Sequence, residues 1–365
     1  MRPTILKVST GAIAHNARLF REAIPAGVRM MCVIKANAYG HESVPVARAL
    51  LGAGADAFAV AVVEEARVLR EAGIDCPILI LGGACEESLR EAVAVGASQA
   101  VYAPWMLEVM QDEASRCGVR AKAHLKIDTG MSRIGVRDPQ ALDRLLARWQ
   151  ACPDVEMEGM FTHFCAADSD PEFTALQNNR FAEALEQVRG AGYAPIAHAA
   201  ATSAMLEPAL QFDMVRPGIG LYGTCVPALQ HRLRYAQTLV TRPIRIQSIQ
   251  AGDTVGYGRT FTAERDSVIM TLPIGYGDGY PRLLSNRASV LVRDRRARLA
   301  GRVCMDMIMA DITDIPGVTL EDEVVLMGAQ GDEVITPDEL AVHAETIPYE
   351  IMLGFGARVP VEMVD

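Results

Sequence analysis

The sequence predicts an α/β fold: a (β/α)8 barrel followed by a mainly β domain. Over roughly the first two thirds of the 365 residues, short apolar segments alternate with amphipathic segments, as expected for strands that cross to helices and back. After about residue 235 the pattern changes to β-branched runs separated by Gly and Asp, which predicts strands and turns. We therefore expect a barrel domain at 1–235 and a mainly β domain at 236–365.

The barrel prediction depends on eight apolar segments, which we interpret as parallel strands: 28–35, 57–62, 77–81, 99–102, 120–127, 155–163, 195–198 and 212–216. A helix at 11–23, capped by Ser9 or Thr10, precedes them. Helices between the strands often begin with Pro or Glu, as helix N-termini prefer, at 64–72, 86–95, 104–117, 139–149 and 171–192. In the second domain, strands are predicted at 239–249, 268–272, 289–292, 305–312 and 324–327.

Charge and cysteine content limit the functional class. The 35 basic and 45 acidic residues give a net charge of −10, which offers no electrostatic footprint for nucleic acid. No apolar run is long enough to span a bilayer, and the first ten residues lack the apolar region of a signal peptide. The eight cysteines are scattered singly, which favours reduced core residues over a disulfide or metal site. We expect a cytoplasmic protein that acts on small molecules.

Five polar residues fall at or just after the predicted C-terminal ends of barrel strands, where this fold places reactive groups: Lys35, Arg133, His163, His198 and Arg216. A single polar residue there ordinarily meets solvent, but five on one rim indicate a site. Lys35 stands out because the chain has only 4 lysines beside 31 arginines. A buried lysine loses its proton more easily and can form a Schiff base with an aldehyde, of which pyridoxal phosphate (PLP) is the obvious candidate.

A G-x-G-x-x-G pattern at Gly218, Gly220 and Gly223 raises the alternative of a dinucleotide site. The pattern lies after the last predicted barrel strand instead of in a first βαβ unit, and no acidic residue follows about twenty positions later. Loops after strands seven and eight of such barrels commonly bind phosphate. The backbone N–H groups of Gly218 and Ile219 and the Thr202 hydroxyl suit that task.

Motifs along nearly the whole chain resemble the alanine racemase family. They are VIKANAYGH at 33–41, LKIDTGMSRIG at 125–135, THF at 162–164, VRPG at 215–218, VGYG at 255–258, PIGYGDG at 273–279, GRVCMD at 301–306 and TIPY at 346–349. The resemblance implies a TIM barrel followed by a β domain, with PLP as the cofactor. It implies interconversion of L- and D-alanine, which supplies D-alanine for peptidoglycan. It also implies a head-to-tail homodimer in which the partner's β domain completes each site.

The resemblance also assigns roles by position. Lys35 would carry PLP and act as one base, and Tyr257 of the partner subunit would be the second base. Arg133 would contact the cofactor and the substrate carboxylate, which Met305 would also bind. The other cofactor-binding residues would be Tyr39, His163, His198, Thr202, Arg216, Gly218, Ile219 and Tyr349. The substrate corridor would be lined by Asp168, Tyr276, Arg282, Arg302, Asp306 and Ile347.

Four positions bear on the choice among related activities. Lys126 resembles a lysine that many members carry as a carbamate, although it could simply pair with Asp128. Ala201 and Thr202 stand where the family usually has Asn-Ser, which bears on strict alanine specificity. The guanidinium of Arg216 should keep the pyridine nitrogen unprotonated, which argues against a decarboxylase. A racemase acting on serine, lysine or arginine stays open as an alternative, as does a non-enzymatic PLP-binding protein, against which Tyr257 and the β domain speak.

Overall fold

The computed structural model describes residues 3–365 and contains a closed parallel barrel of eight strands. Strand β1 (Ile5–Ser9) precedes the barrel, whose strands are β2 (Arg29–Val33), β3 (Ala57–Val60), β4 (Ile78–Ile80), β5 (Ser98–Val101), β6 (Ala121–Lys126), β7 (Val155–Phe161), β8 (Ile196–Ala201) and β9 (Met214–Arg216). The barrel closes where Arg29 of β2 pairs with Met214 of β9. The predicted fold class is confirmed.

The barrel part of the chain also contains α1 (Thr10–Ala23), α2 (Lys35–Gly40), whose backbone is left-handed, α3 (Ser43–Leu51), α4 (Val63–Glu71), α5 (Glu86–Ala94), α6 (Pro104–Cys117), α7 (Pro139–Gln150), α8 (Pro171–Gly190) and α9 (Pro208–Gln211). The Ser9 hydroxyl caps α1 by accepting the Ala12 N–H at 3.0 Å. Proline begins α6, α7 and α8, because its fixed φ suits the first helical position. α2, α3 and α9 were not predicted.

The second part of the chain is mainly β: β10 (Gln237–Thr241), β11 (Arg245–Ile249), β12 (Thr254–Val255), β13 (Phe261–Thr262), β14 (Ser267–Leu272), β15 (Ser289–Val292), β16 (Arg295–Arg298), β17 (Ile308–Asp311), β18 (Val324–Gln330), β19 (Glu333–Ile335) and β20 (Val361–Val364). Two helices, α10 (Pro337–His343) and α11 (Pro348–Leu353), lie before β20. The large sheet has the order β16-β15-β18-β10-β1-β20, with β19 beside β18. β1 therefore lies in the sheet of the second part, and the division at residue 235 stays a prediction.

Several predicted strands have different bounds in the structure, and two in the second part differ for a clear local reason. The segment 239–249 forms β10 and β11, interrupted near Pro243, which has no N–H to contribute to a ladder. The segment 305–312 becomes a strand only at Ile308, because the preceding residues form a turn in which the Cys304 N–H donates to the Met307 carbonyl at 2.9 Å. This turn exposes Met305.

One continuous apolar core runs from the barrel into the large sheet, so the barrel rim is held against the β domain. Across residues 3–365, no helix is long and apolar enough to cross a membrane. All eight cysteines have free thiols, but the prediction that they are core residues is wrong for most of them: only Cys32 and Cys152 are buried, and Cys85, Cys117 and Cys165 are exposed. The same part of the chain contains no cluster of three or more side chains suited to a metal ion.

Candidate active site

A cavity of about 690 Å³ lies at the C-terminal ends of the barrel strands. Lys35 follows β2, His163 follows β7, Thr202 follows β8 and Arg216 ends β9, so the barrel brings together residues far apart in sequence. The predicted site residues that line it are Lys35, Tyr39, Lys126, Arg133, His163, Asp168, Thr202, Arg216, Gly218, Ile219, Ile347 and Tyr349.

Lys35 begins a turn of left-handed backbone. The φ angles of residues 36–39 lie between 51° and 56°, a region that L-residues seldom occupy in succession. The Glu65 carboxylate holds the turn by accepting the Ala36 N–H at 2.5 Å and the Ala61 N–H at 2.7 Å. Burial lowers the pKa of Lys35, the nearby Arg133 lowers it further, and Glu65 opposes both.

The loop after β6 is folded around Asp128. Its Oδ1 atom accepts the N–H groups of Gly130 at 3.0 Å and Ser132 at 2.9 Å, which places Arg133 at the cavity. Lys126 does not need Asp128 as its hydrogen-bond partner, since its Nζ donates to the Ile127 carbonyl at 2.7 Å. Burial, followed by the charge of Arg216, lowers the pKa of Lys126 to about 7.

The glycine-rich segment closes one end of the cavity. Thr202 Oγ1 accepts the Gly218 N–H at 2.9 Å, and a Cβ at Gly218 would lie only 2.9 Å from the Tyr39 hydroxyl oxygen. Only a four-residue 3-10 helix, Ile219–Tyr222, follows Gly218. A dinucleotide-binding site requires a longer helix at this point. The short 3-10 helix therefore favours the phosphate-binding interpretation.

Arg216 lies at another wall of the cavity, and its side chain is buried. Nη1 hydrogen-bonds to His198 Nδ1 at 2.8 Å, and Nη2 donates to the carbonyls of Thr162 at 2.8 Å and Ala199 at 2.9 Å. Burial lowers the pKa of Arg216 to about 9, which still leaves the guanidinium charged at neutral pH. Burial and the charge of Arg216 lower the pKa of His163 to about 3, so this imidazole is neutral.

Comparison with known proteins agrees with this arrangement. The family model for the N-terminal domain of alanine racemase matches residues 8–226, and that for the C-terminal domain matches 236–363. The chain belongs to the alanine racemase family. It is 43% identical to the alanine racemase of Symbiobacterium thermophilum, over 99% of this chain and 97% of that protein. The family resemblance seen in the motifs is thereby confirmed.

Solved structures of alanine racemases share the fold. The Bacillus anthracis enzyme with bound L-Ala-P superposes with a TM-score of 0.92 at 34% identity, covering 100% of this chain and 96% of that one. The Streptomyces coelicolor enzyme gives 0.94 at 32% identity, covering 100% and 98%.

Six residues that the alanine racemase resemblance assigns to the site lie in the β domain and do not line the cavity: Tyr257, Tyr276, Arg282, Arg302, Met305 and Asp306. Tyr257 is 71% exposed and Met305 54% exposed. Tyr276 and Met305 are neighbours, since the Gly277 N–H donates to the Met305 carbonyl at 2.8 Å. These six residues therefore lie outside the cavity that contains Lys35 of the same chain.

The sequence reasoning missed two residues behind the cavity wall. His124 of β6 and Glu158 of β7 continue the hydrogen-bonded chain that begins at Arg216 and His198. His198 lies within β8 and does not line the cavity, although it holds Arg216. The available signal was a His and a Glu within two neighbouring apolar strands.

Proposed function

We propose that this chain is a PLP-dependent alanine racemase that interconverts L- and D-alanine by a two-base mechanism and so supplies D-alanine for peptidoglycan. The observation that carries the proposal is a cavity with a half-buried lysine, Lys35, and a buried, charged arginine, Arg216. Membership of the alanine racemase family supports the same activity.

The cavity residues fit PLP. Hydroxyl and backbone N–H groups suited to a phosphate come from Tyr39, Thr202, Gly218, Ile219 and Tyr349. A side chain at 218 would enter this space, as the 2.9 Å approach of a Cβ to the Tyr39 hydroxyl indicates. The lowered pKa of Lys35 favours the neutral amine, which is the form that reacts with an aldehyde. When bound, PLP supplies an electron sink for the charge left on the α-carbon.

Arg216 would face the pyridine nitrogen of the cofactor, with His198 supporting it and His163 near the ring. A permanent cation beside that nitrogen disfavours its protonation, because two positive charges would lie together. The ring is then a weaker electron sink, which favours prompt return of the proton over decarboxylation or transamination. This arrangement supports racemisation over other PLP chemistry.

Racemisation needs one base on each face of the α-carbon. Lys35 would move the proton on one face and Tyr257 of the partner subunit on the other. Arg133 would bind the substrate carboxylate together with the backbone N–H of Met305.

We infer a homodimer with shared sites, since Tyr257 and Met305 are exposed and lie outside the chain's own cavity. The corridor to the site would be lined from both subunits. Asp168 and Ile347 line the cavity wall themselves. The partner's β domain would add Tyr276, Arg282, Arg302 and Asp306. The boundary between barrel and β domains is proposed at residues 235 and 236.

Lys126 is proposed to react with carbon dioxide and form a carbamate. A pKa of about 7 leaves much of this amine neutral under physiological conditions, which the reaction requires. The new negative charge would lie among Arg133 and Arg216, whose charges both lower the pKa of Lys126. It would thereby position Arg133 for the substrate.

The test is racemisation of a panel of amino acids by the purified protein, followed by chiral chromatography and by the absorbance of the protein itself. We expect L-alanine to turn over faster than L-serine, L-lysine or L-arginine. Ala201 lines the cavity with a small side chain, so faster turnover of a larger amino acid would favour the broad-specificity alternative. Cofactor absorbance without racemisation of any amino acid would refute the proposal and favour a non-enzymatic PLP-binding protein.

A further inference from the structure

A line of hydrogen-bonded side chains leads from Arg216 into the interior of the barrel. Arg216 Nη1 lies 2.8 Å from His198 Nδ1, and His198 Nε2 lies 2.8 Å from His124 Nδ1. His124 Nε2 lies 3.1 Å from Glu158 Oε2. His198 is fully buried and His124 is 2% exposed, so each ring nitrogen depends on its partner within the line.

The chemistry of the two ends fixes the direction of every hydrogen bond between them. An ionised carboxylate only accepts, so His124 Nε2 carries a proton and its Nδ1 is an acceptor. His198 must then donate from Nε2 to His124 Nδ1, which leaves His198 Nδ1 as the acceptor. Arg216, which only donates, fills that acceptor through Nη1. Both imidazoles are therefore neutral Nε2–H tautomers.

We propose that Glu158 is a positioning residue: acting through His124, it fixes the tautomer of His198 and thereby holds Arg216 in place at the cavity. The inference rests on the proposed racemase function for its consequence in catalysis. Glu158 touches neither the cavity nor the side chain of Arg216 in this arrangement, so its effect is transmitted through the two imidazoles.

The local backbone is shaped to admit this line. Between β6 and β7, Ala123 pairs with Met157 but His124 pairs with Gly159, so Glu158 is the extra residue of a β-bulge. Bulges redirect a side chain, and they are common near active sites. Gly159 leaves room for the imidazole, because a Cβ there would lie 2.3 Å from His124 Nδ1.

Hydrogen-bond donors other than His124 also keep the Glu158 carboxylate ionised. Lys122 Nζ binds Oε1 at 2.8 Å, and the buried Ser98 hydroxyl donates to Oε2 at 2.5 Å. Burial raises the pKa of Glu158, but the hydrogen bonds from His124, Lys122 and Ser98 together outweigh it and lower the pKa. Burial lowers the pKa of His124, Glu158 opposes this, and the charges of Arg216 and Lys122 lower the pKa further.

The tautomers can be read directly by side-chain ¹⁵N NMR of the histidine-labelled holoenzyme. We expect His124 and His198 to be neutral Nε2–H forms that do not titrate near neutral pH, each assigned by loss of its signal in His124→Asn or His198→Asn. A wild-type Nδ1–H tautomer or an imidazolium at either position would overturn the inference, and this result requires no variant of Glu158 that folds.

The role in catalysis is tested with Glu158→Gln, with Glu156→Gln as the matched control two residues away on β7. The glutamine amide would keep its oxygen toward Lys122, which only donates, and would direct its NH2 group at His124 and at the Ser98 hydroxyl, which can accept. The tautomers would reverse, and His198 would present an N–H to Arg216. We expect kcat to fall by roughly tenfold or more, as occurs when carboxylate partners of metal-bound histidines are lost, with little change in KM.

Bound PLP provides the further readout: its absorbance should respond to pH differently in Glu158→Gln than in wild type and Glu156→Gln. Glu158→Asp, which keeps the charge, should recover part of kcat. If Glu158→Gln reverses the tautomers while kcat and the pH response stay equal to those of Glu156→Gln, the positioning role is wrong. If wild type racemises no amino acid but shows the expected tautomers, the proposed function fails and the hydrogen-bonded line stands.

Discussion

Lys35 and Lys126 both line the cavity. Burial is the largest cause of the lowered pKa of each. Their surroundings separate their roles. Lys35 begins a strained turn and has Glu65 nearby to retain some positive charge, whereas Lys126 lies among the charges of Arg216 and Arg133. One lysine is thus suited to hold a cofactor and the other to react as a neutral amine.

Lys35→Ala should lose both the cofactor absorbance on dialysis and racemase activity, because no other amine replaces it at the end of β2. The measurement is the visible spectrum before and after dialysis, with borohydride reduction to trap any covalent link. Lys7→Ala is the control, since Lys7 pairs with Glu323 on the surface. A borohydride-fixed cofactor in the Lys35 variant would show that the assignment is wrong.

Lys126 should make stability depend on pH. Its pKa of about 7 in the folded chain lies below the ordinary 10.5, so above pH 7 the folded state releases this proton while the unfolded state retains it. The free energy of unfolding should therefore increase as the pH rises from about 7 to 10.5. The increase is measured relative to Lys126→Met, which has no such proton. At lower pH the lysine is charged in both states and carries the full penalty of burial.

The comparison is made by urea unfolding of both proteins in buffers free of carbon dioxide, so that carbamate formation does not contribute. A difference in free energy of unfolding that stays constant across this pH range would contradict the lowered pKa. Mass spectrometry under carbon dioxide, with Lys126→Met as the control, tests the carbamate separately.

At single positions, the sequence predicted those site residues whose placement follows from the barrel. Lys35 and Arg216 follow apolar strands, and parallel strands in a closed barrel must end on the same rim. Glu158 and His124 could not be found in this way, because their orientation depends on a one-residue bulge that alternation of apolar and polar residues does not reveal.

Among the elements, the left-handed turn α2 is the one that depends most on hydrogen bonds to a side chain of another element. Residues 36–39 adopt a backbone conformation that is unfavourable for L-residues. The Glu65 carboxylate of α4 offsets this cost because it accepts the N–H groups of both Ala36 and Ala61. A carboxylate can accept both, because it has two acceptor oxygens and no donor.

Glu65→Gln should lower the free energy of unfolding by about 1–3 kcal/mol, because the amide NH2 group would face one of these N–H donors. Urea unfolding measures the loss, and Glu64→Gln provides the control on the exposed side of the same helix. Equal stability of the two variants would mean that Glu65 does not hold the turn.

Element positions were predictable where a local signal exists. Proline marks the first residue of α6, α7 and α8, and these starts agree with the prediction to the residue. β1 was missed because its partners are β10 and β20, more than 200 residues away, and five residues alone carry little pattern. Predicted and observed strand ends differ where pairing with the neighbouring strand, instead of apolar character, sets the end. β8, for example, continues to Ala201.

In the whole molecule, the chain's two ends meet in one sheet while its proposed catalytic groups lie apart. β1 pairs with β20, so the barrel and the β domain are held together by the first and last strands. Yet Tyr257 is 71% exposed and does not line the cavity of Lys35. In the proposed two-base site, Tyr257 would therefore come from a second subunit.

A mixing experiment tests this sharing of sites. In a two-fold dimer, a Lys35→Ala subunit joined to a Tyr257→Phe subunit has one site with both defects and one site with neither. Random reassociation of equal amounts makes about half of the dimers hybrid, so roughly a quarter of wild-type activity should return from two inactive parents. Subunit exchange is verified by native mass spectrometry of differently labelled chains. If hybrids form and no activity returns, Tyr257 either acts within its own chain or is not the second base.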